Sequence, residues 1–162
     1  MPELILISGS INSGKTSTSA ELVKRLPKTA HVKGDDLRHF LTSLSLEEAI
    51  PVTYEVIAAV IKTYLRSGSN VVLDYPMYKP EFEALCAVVI KDAERVHAFI
   101  LAPPLNMAQT QRGERELSDW EVSRIAHHYA TKLHDPGFGV RLDNSKLSVS
   151  EVVAMMLEQL QL

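Results

Sequence analysis

The stretch Gly9-Ser10-Ile11-Asn12-Ser13-Gly14-Lys15-Thr16 holds the residue types needed to grip a polyphosphate. Its glycines permit backbone angles and close approach that side chains block, so successive N–H groups can point at phosphate oxygens. A helix opening at Lys15 adds about half a positive charge. In that setting Lys15 reaches the β- and γ-phosphates of a nucleoside triphosphate, and the Thr16 hydroxyl reaches Mg2+. The expected cradle comprises Gly9, Ser10, Asn12, Ser13, Gly14, Lys15, Thr16 and Ser17. The pattern G-x-x-x-x-G-K-S/T is met without mismatch, an accident expected in about one chain of this length in a few hundred. The competing reading is a glycine-rich turn beside a surface lysine.

Further carboxylates and arginines suit phosphoryl chemistry. Val71-Val72-Leu73-Asp74 is an apolar run ending in an acid, and an acid at the C-terminal edge of a parallel sheet can hold Mg2+ directly or through water. The same Asp74 could simply open a Tyr75-Pro76 turn. Gly34-Asp35-Asp36-Leu37-Arg38 offers Asp35 as the group that orients an acceptor hydroxyl and takes its proton, although Asp35 or Asp36 would also suit a helix N-cap. Arg38 is either a contact for a polar or anionic acceptor or an exposed arginine of a first helical turn. Arg112 and Arg115 stand three apart, share a face if helical, and can offset charge on a transferring phosphoryl group. Arg124 is a weaker candidate for the same task. Tyr75-Pro76-Met77-Tyr78 is aromatic and apolar, so Tyr75 and Tyr78 are expected in an acceptor wall less polar than a sugar acid prefers. A GTPase is disfavoured: no N-K-x-D guanine signature occurs, and Tyr75 stands where many ATPases carry Glu after the strand-end Asp.

These residues must be positioned by alternating elements. Strands are expected at Leu4–Ile7, Ala30–Lys33, Val71–Leu73, Val96–Leu101 and Gly139–Leu142, with helical patterns between them. That alternation implies an α/β fold with right-handed crossovers and a mostly parallel sheet covered on both faces. The first helix should run about three turns from Lys15 and stop at Pro27. An excursion over about 37–67 carries a capping-box pattern at Ser45 and Glu48 and an expected break at Pro51. Ser148 and Glu151 cap a last helix whose Val149, Val152, Val153, Met156, Leu157 and Leu160 share a core face.

Taken together, the glycine loop, the Gly34–Arg38 segment, the strand ending in Asp74, Arg112-Gly113-Glu114-Arg115 and Leu142-Asp143-Asn144-Ser145 resemble the P-loop small-molecule kinases. That branch includes gluconate, shikimate and adenylylsulfate kinases and chloramphenicol phosphotransferases. The resemblance implies one domain over residues 1–162 with a five-stranded parallel sheet in 2-3-1-4-5 order. It also implies ATP and Mg2+ as cofactors, Asp35 as acceptor-binding acid, and a lid over about 111–119 carrying Arg112 and Arg115. By the same likeness Asp143, Asn144 and Ser145 lie against adenine; from the residues alone this is only a strand-to-helix turn.

Composition narrows the partners. A net charge of −3 without a basic block supplies no footprint for a nucleic-acid backbone or an acidic membrane surface. The longest apolar run, Val56 to Ile61, falls far short of the ~20 residues a membrane-spanning helix needs. The N-terminus reads directly into a strand, so the cytoplasm is the expected compartment. Cys86 is expected as a buried, non-catalytic thiol, and Trp120 and Tyr129 as packing between lid helix and body. His127 and His128 are adjacent and point apart, and no histidine pair has helical ligand spacing, so no zinc site is expected. The reading is therefore an ATP-dependent kinase of a small-molecule hydroxyl, its oligomeric state undetermined. The alternatives are a kinase of a nucleotide or nucleic-acid end, or a non-catalytic nucleotide-binding regulator.

Overall fold

Five runs of aliphatic residues pair into one parallel sheet: β1 (Leu4–Gly9), β2 (Thr29–Lys33), β3 (Asn70–Asp74), β4 (Val96–Leu101) and β5 (Val140–Leu142). Their order is β2-β3-β1-β4-β5, the order that the family resemblance implies. The computed structural model describes all residues except Gln111, Glu114 and Leu162. β1 is central and buried along its whole length, which is why its sequence shows no polar alternation. The register pairs Ile7 with Asp74 and Lys33 with Asp74, bringing the C-terminal ends of β1, β2 and β3 to one edge. All the chemistry described below lies along that edge.

Among the described residues seven helices flank the sheet: α1 (Lys15–Arg25), α2 (Gly34–His39), α3 (Leu46–Arg66), α4 (Lys79–Val89), α5 (Leu105–Ala108), α6 (Asp119–Ala130) and α7 (Val149–Leu160). On one face Leu4, Leu6, Val71 and Leu73 pack with Ile57, Ile61 and Leu65 of α3 and Leu85 and Val89 of α4. On the other, Ile5, Ile7, Val72 and Phe99 pack with Leu22 of α1 and with Val152, Val153, Met156 and Leu160 of α7. Burial of each such side chain contributes about 1.5–3 kcal/mol. Truncating Phe99, which is 2% exposed, to alanine would therefore cost about 3–5 kcal/mol. Among the described residues no helix is long and apolar enough to cross a membrane.

Three local expectations are corrected. The helix does not break at Pro51, which lies inside α3. The proline removes one backbone donor, yet Ala49, Thr53, Ile57, Ile61 and Leu65 form a buried stripe at i,i+4 spacing that holds the helix through it. The Thr53 hydroxyl also donates to the Ala49 carbonyl at 2.8 Å. Cys86 is only half-buried, because α4 turns Leu85 and Val89 rather than Cys86 to the sheet. Trp120 is 59% exposed and packs no lid onto the body. Tyr129 does anchor α6: its hydroxyl donates to the Pro103 carbonyl and its ring stacks on His134 at 4.4 Å.

Candidate active site

The turn from β1 to α1 is shaped by residues with few substitutes. A Cβ on Gly9, at φ 150°, would lie 2.6 Å from the Leu101 carbonyl oxygen and 2.7 Å from Ser13 Oγ. Asn12 (φ 61°) and Gly14 (φ 93°) adopt left-handed backbone that turns the chain into the helix. α3, α6 and α7 each start with a Ser/Glu capping box, whereas the start of α1 has no side-chain cap and no acid in its first turn. Its uncapped amide donors and dipole add to the positive charge of Lys15, a donor set that fits phosphate. Lys15 Nζ donates to the Ser10 carbonyl at 2.8 Å. Burial draws its pKa below the ordinary lysine value, opposed by the Asp74 and Asp35 carboxylates.

Asp74 ends β3 and is buried. Burial pushes its carboxyl upward, but the His31 imidazole 3.8 Å away, the Lys15 ammonium and the Thr16 hydroxyl together hold it below the usual carboxylate range. A carboxylate whose ionised form is favoured, beside an alcohol, is a hard oxygen donor pair, which fits Mg2+.

Across from the loop, a cleft of about 480 Å³ opens between α1, α2 and α6. Lys15, Thr16, Asp35, Arg38, Tyr75, Arg115, Trp120, Arg124 and His128 all line it. Asp35 lies in the first turn of α2, not at the N-cap, which is Lys33, so capping does not explain it. Its side chain is 58% exposed and receives Arg38 Nη2 at 3.4 Å, which places Arg38 on the same wall of the cleft. Tyr75 is buried against the start of α2: a Cβ on Gly34 would come 2.3 Å from its ring. Burial, then the nearby Asp35 charge, push the Tyr75 hydroxyl up to about 12, so it is a neutral donor throughout the ordinary pH range. Tyr78 does not join this wall; its hydroxyl lies 2.6 Å from Thr131 Oγ1, drawn off by its position at the start of α4.

Arg112 and Arg115 do not share a helical face. Arg112, Gly113 and Arg115 lie outside any helix, and of the expected lid Gln111 and Glu114 lie outside the described residues. Arg115 Nη1 donates to Glu121 Oε1 at 2.6 Å, while Glu121 Oε2 accepts from the Ser118 amide at 3.0 Å. One carboxylate thus caps α6 and clasps Arg115 at the cleft. Arg112 turns the opposite way, donating to the Asn12 carbonyl at 3.2 Å and the Asn144 carbonyl at 3.5 Å.

Arg112 there borders a second, smaller hollow of about 240 Å³ with Gly14, Ser17, Asn144 and Leu147. Asn144 is buried and donates to the Ser13 carbonyl at 2.8 Å, tying the β5–α7 turn to the glycine loop. Asp143 and Ser145 do not line this hollow; Asp143 accepts the Ser145 amide at 3.0 Å, a bond that holds its carboxyl below the usual range and closes the turn behind Asn144. Asn12 Nδ2 completes the stitching, donating to the Ala108 and Thr110 carbonyls at 2.8 Å each.

Sequence reasoning missed His128. It is 5% exposed, its Nδ1 lies 2.9 Å from Ser10 Oγ, and its ring lines the cleft. Burial, then the Arg124 and Lys15 charges and His127, depress its pKa to about 4, so it is neutral. Helical spacing from Trp120 through Arg124 to His128 was the available signal: one α6 face carries all three toward the cleft.

A parallel sheet in this order, with a glycine loop after its central strand and an acid ending the next, defines the P-loop kinase-like fold. The chain belongs to the AAA domain family, whose model matches residues 4–136. Among solved structures it is similar to a sugar kinase from Janibacter sp. HTCC2649, at TM-score 0.73 and 16% identity over 99% of this chain and 95% of that one. A gluconokinase from Sinorhizobium meliloti 1021 gives TM-score 0.71 and 16% identity over 99% and 96%. A chain of the Pnkp1/Rnl/Hen1 RNA repair complex gives TM-score 0.59 and 14% identity over 91% of this chain and 51% of that chain. At such identities the likeness concerns the fold. No curated protein matches the sequence.

Proposed function

We propose that the protein is an ATP- and Mg2+-dependent phosphotransferase that moves the terminal phosphoryl group of ATP onto a hydroxyl of a small molecule. One observation carries this reading: the Asp35 carboxylate opens into the same cleft as Lys15, so a hydroxyl held by Asp35 would face a phosphoryl group held by the glycine loop. Asp35 accepts the hydroxyl proton as the acceptor oxygen bonds to phosphorus and the bridging bond to the β-phosphate breaks, its electron pair leaving with ADP. Lys15 and the glycine-loop amides stabilise charge on the phosphoryl oxygens, and Arg115 adds to them from the lid. Thr16 and Asp74 would hold Mg2+, whose chemistry is to neutralise phosphate charge. Arg112, with Asn144 and the turn closed by Asp143 and Ser145, serves the nucleotide side.

In this reading residues 1–162 act as one unit. The excursion over 37–67 supplies the acceptor wall through Leu46 and Ile50, beside Arg38 and Tyr75, and residues 111–119 act as lid. An ATP-consuming role suits the cytoplasmic setting expected from the sequence. A small-molecule acceptor is favoured over a nucleic-acid end by the net charge of −3.

The test is radiolabelled phosphoryl transfer to a panel of sugars, hydroxy acids, aromatic alcohols and 5′-hydroxyl oligonucleotides. Lys15→Ala is expected to lower transfer by about 10²–10³-fold. Asp35→Asn should lower kcat far more than it raises the KM for ATP. Unaltered transfer in Lys15→Ala would sink the mechanism, and transfer to oligonucleotides alone would replace the acceptor class.

A further inference from the structure

His128 is assigned no role in the scheme above, yet it is the one buried imidazole on the cleft wall. Its Nδ1 lies 2.9 Å from Ser10 Oγ, and both side chains are almost wholly buried. Which of the two donates is decided by proton accounting. Among the described residues Ser10 Oγ has no other hydrogen-bond partner. If Nδ1–H were the donor, the serine proton would be left buried without an acceptor, the costlier arrangement. If the serine hydroxyl donates to Nδ1, the serine proton is paired, and Nε2, which is not among the fully buried unpartnered atoms, can be served from the cleft. Nε2 then carries the ring proton.

Nε2 has no hydrogen-bond partner among the described residues, and the ring that bears it lines the cleft with Lys15, Asp35 and Arg124. α6 points it there: His128 follows Arg124 and Trp120 at successive i,i+4 steps, and the hydroxyl of Tyr129 anchors that end of the helix to Pro103. An N–H aimed at a site lined by Lys15 and the glycine loop complements an anionic oxygen.

We propose that His128 is a neutral hydrogen-bond donor to a phosphate oxygen of the bound nucleotide, its Nε2–H form selected by Ser10. A neutral donor adds directionality at the loop without adding a further cation beside Lys15 and Arg124. The ligand in this inference rests on the phosphotransfer reading; the tautomer does not.

Two measurements test it. Long-range proton–nitrogen NMR of the imidazoles, with His128 assigned by its loss in His128→Gln, should show Nε2–H with Nδ1 unprotonated, and a change at Nε2 on adding Mg2+ and the ATP analogue AMP-PNP. Ser10→Ala should mix the tautomers. An Nδ1–H form in the wild type overturns the inference.

Calorimetry with Mg2+ and AMP-PNP supplies the second readout. Glutamine keeps a donor near the Nε2 position and asparagine keeps a partner for Ser10 near Nδ1, so the two variants separate ligand contact from scaffolding. His128→Ala and His128→Asn are expected to weaken binding by about 10–100-fold, and His128→Gln by less than about threefold, with melting temperatures compared to exclude unfolding. Rescue by asparagine but not glutamine would make His128 a strut for the loop and overturn the proposal. Binding with no change at Nε2 sinks only this inference. No binding of AMP-PNP by the wild type sinks the phosphotransfer reading, and the phosphate ligand with it.

Discussion

The two flanks of the glycine loop are built by different means. On the β5–α7 flank, Asn144 reaches the Ser13 carbonyl, Asn12 reaches the Ala108 and Thr110 carbonyls, and Arg112 reaches the Asn12 and Asn144 carbonyls. The acceptor in each of these five bonds is a backbone carbonyl. On the α2–α6 flank the bonds join side chains: Arg38 to Asp35, Arg115 to Glu121, and Ser10 to His128. Backbone acceptors stay in place when residues change, so the first flank fixes the loop. Side-chain partners can be exchanged one at a time, so the second flank is the one that can diverge within a shared fold.

The sharpest way to break this contrast is Gly9→Ala, which strikes both flanks. The added methyl meets the Ser13 side chain and the Leu101 carbonyl, a backbone atom of the central sheet that cannot swing aside, so a loss of about 1–3 kcal/mol in denaturant titration and loss of nucleotide binding are expected. A variant of wild-type stability would mean that the loop is not fixed by its backbone.

Asn144→Ala isolates the backbone-directed flank. It strips the buried Ser13 carbonyl of its side-chain donor, at an expected cost of about 1–3 kcal/mol, and should raise the KM for ATP while leaving that for the acceptor unchanged. An effect on the acceptor alone would reverse the assignment of the flanks.

The side-chain flank should respond to pH. The folded state depresses the His128 pKa from 6.5 to about 4, so between these values the unfolded chain binds the extra proton. Stability should therefore rise with pH across that window and fall away as pH drops from about 6.5 toward 4. Thermal melts from pH 4 to 7 should show a flatter profile in His128→Gln. An identical slope in both proteins would remove His128 from the titration.

The smallest change is expected from Ser118→Ala. It deletes the α6 cap, at about 1 kcal/mol, while Glu121 keeps its bond to Arg115, so the melting temperature should drop slightly with little loss of transfer. A large loss of activity would show that the cap, rather than the carboxylate, positions Arg115.

Much of the architecture was legible because its causes are local or periodic. The strand runs, the Ser45, Glu48, Ser148 and Glu151 capping boxes and the glycine loop are written within a few residues of one another. Pro51 misled because a single residue argues for a break, whereas a stripe of buried residues along α3 decides against it. Arg112 and Arg115 misled in another way: spacing predicts a shared face only on a helix, and outside any helix the two diverge to opposite flanks.

From the sequence alone came the succession of elements along the chain, the glycine loop and the acid that ends β3, since each depends on neighbours in the chain. Tertiary structure decided what lies across from them. The Ser10–His128 bond spans 118 residues and the Asn144–Ser13 bond 131, and pairings so distant follow from how helices settle on the sheet, a global packing that no local pattern encodes.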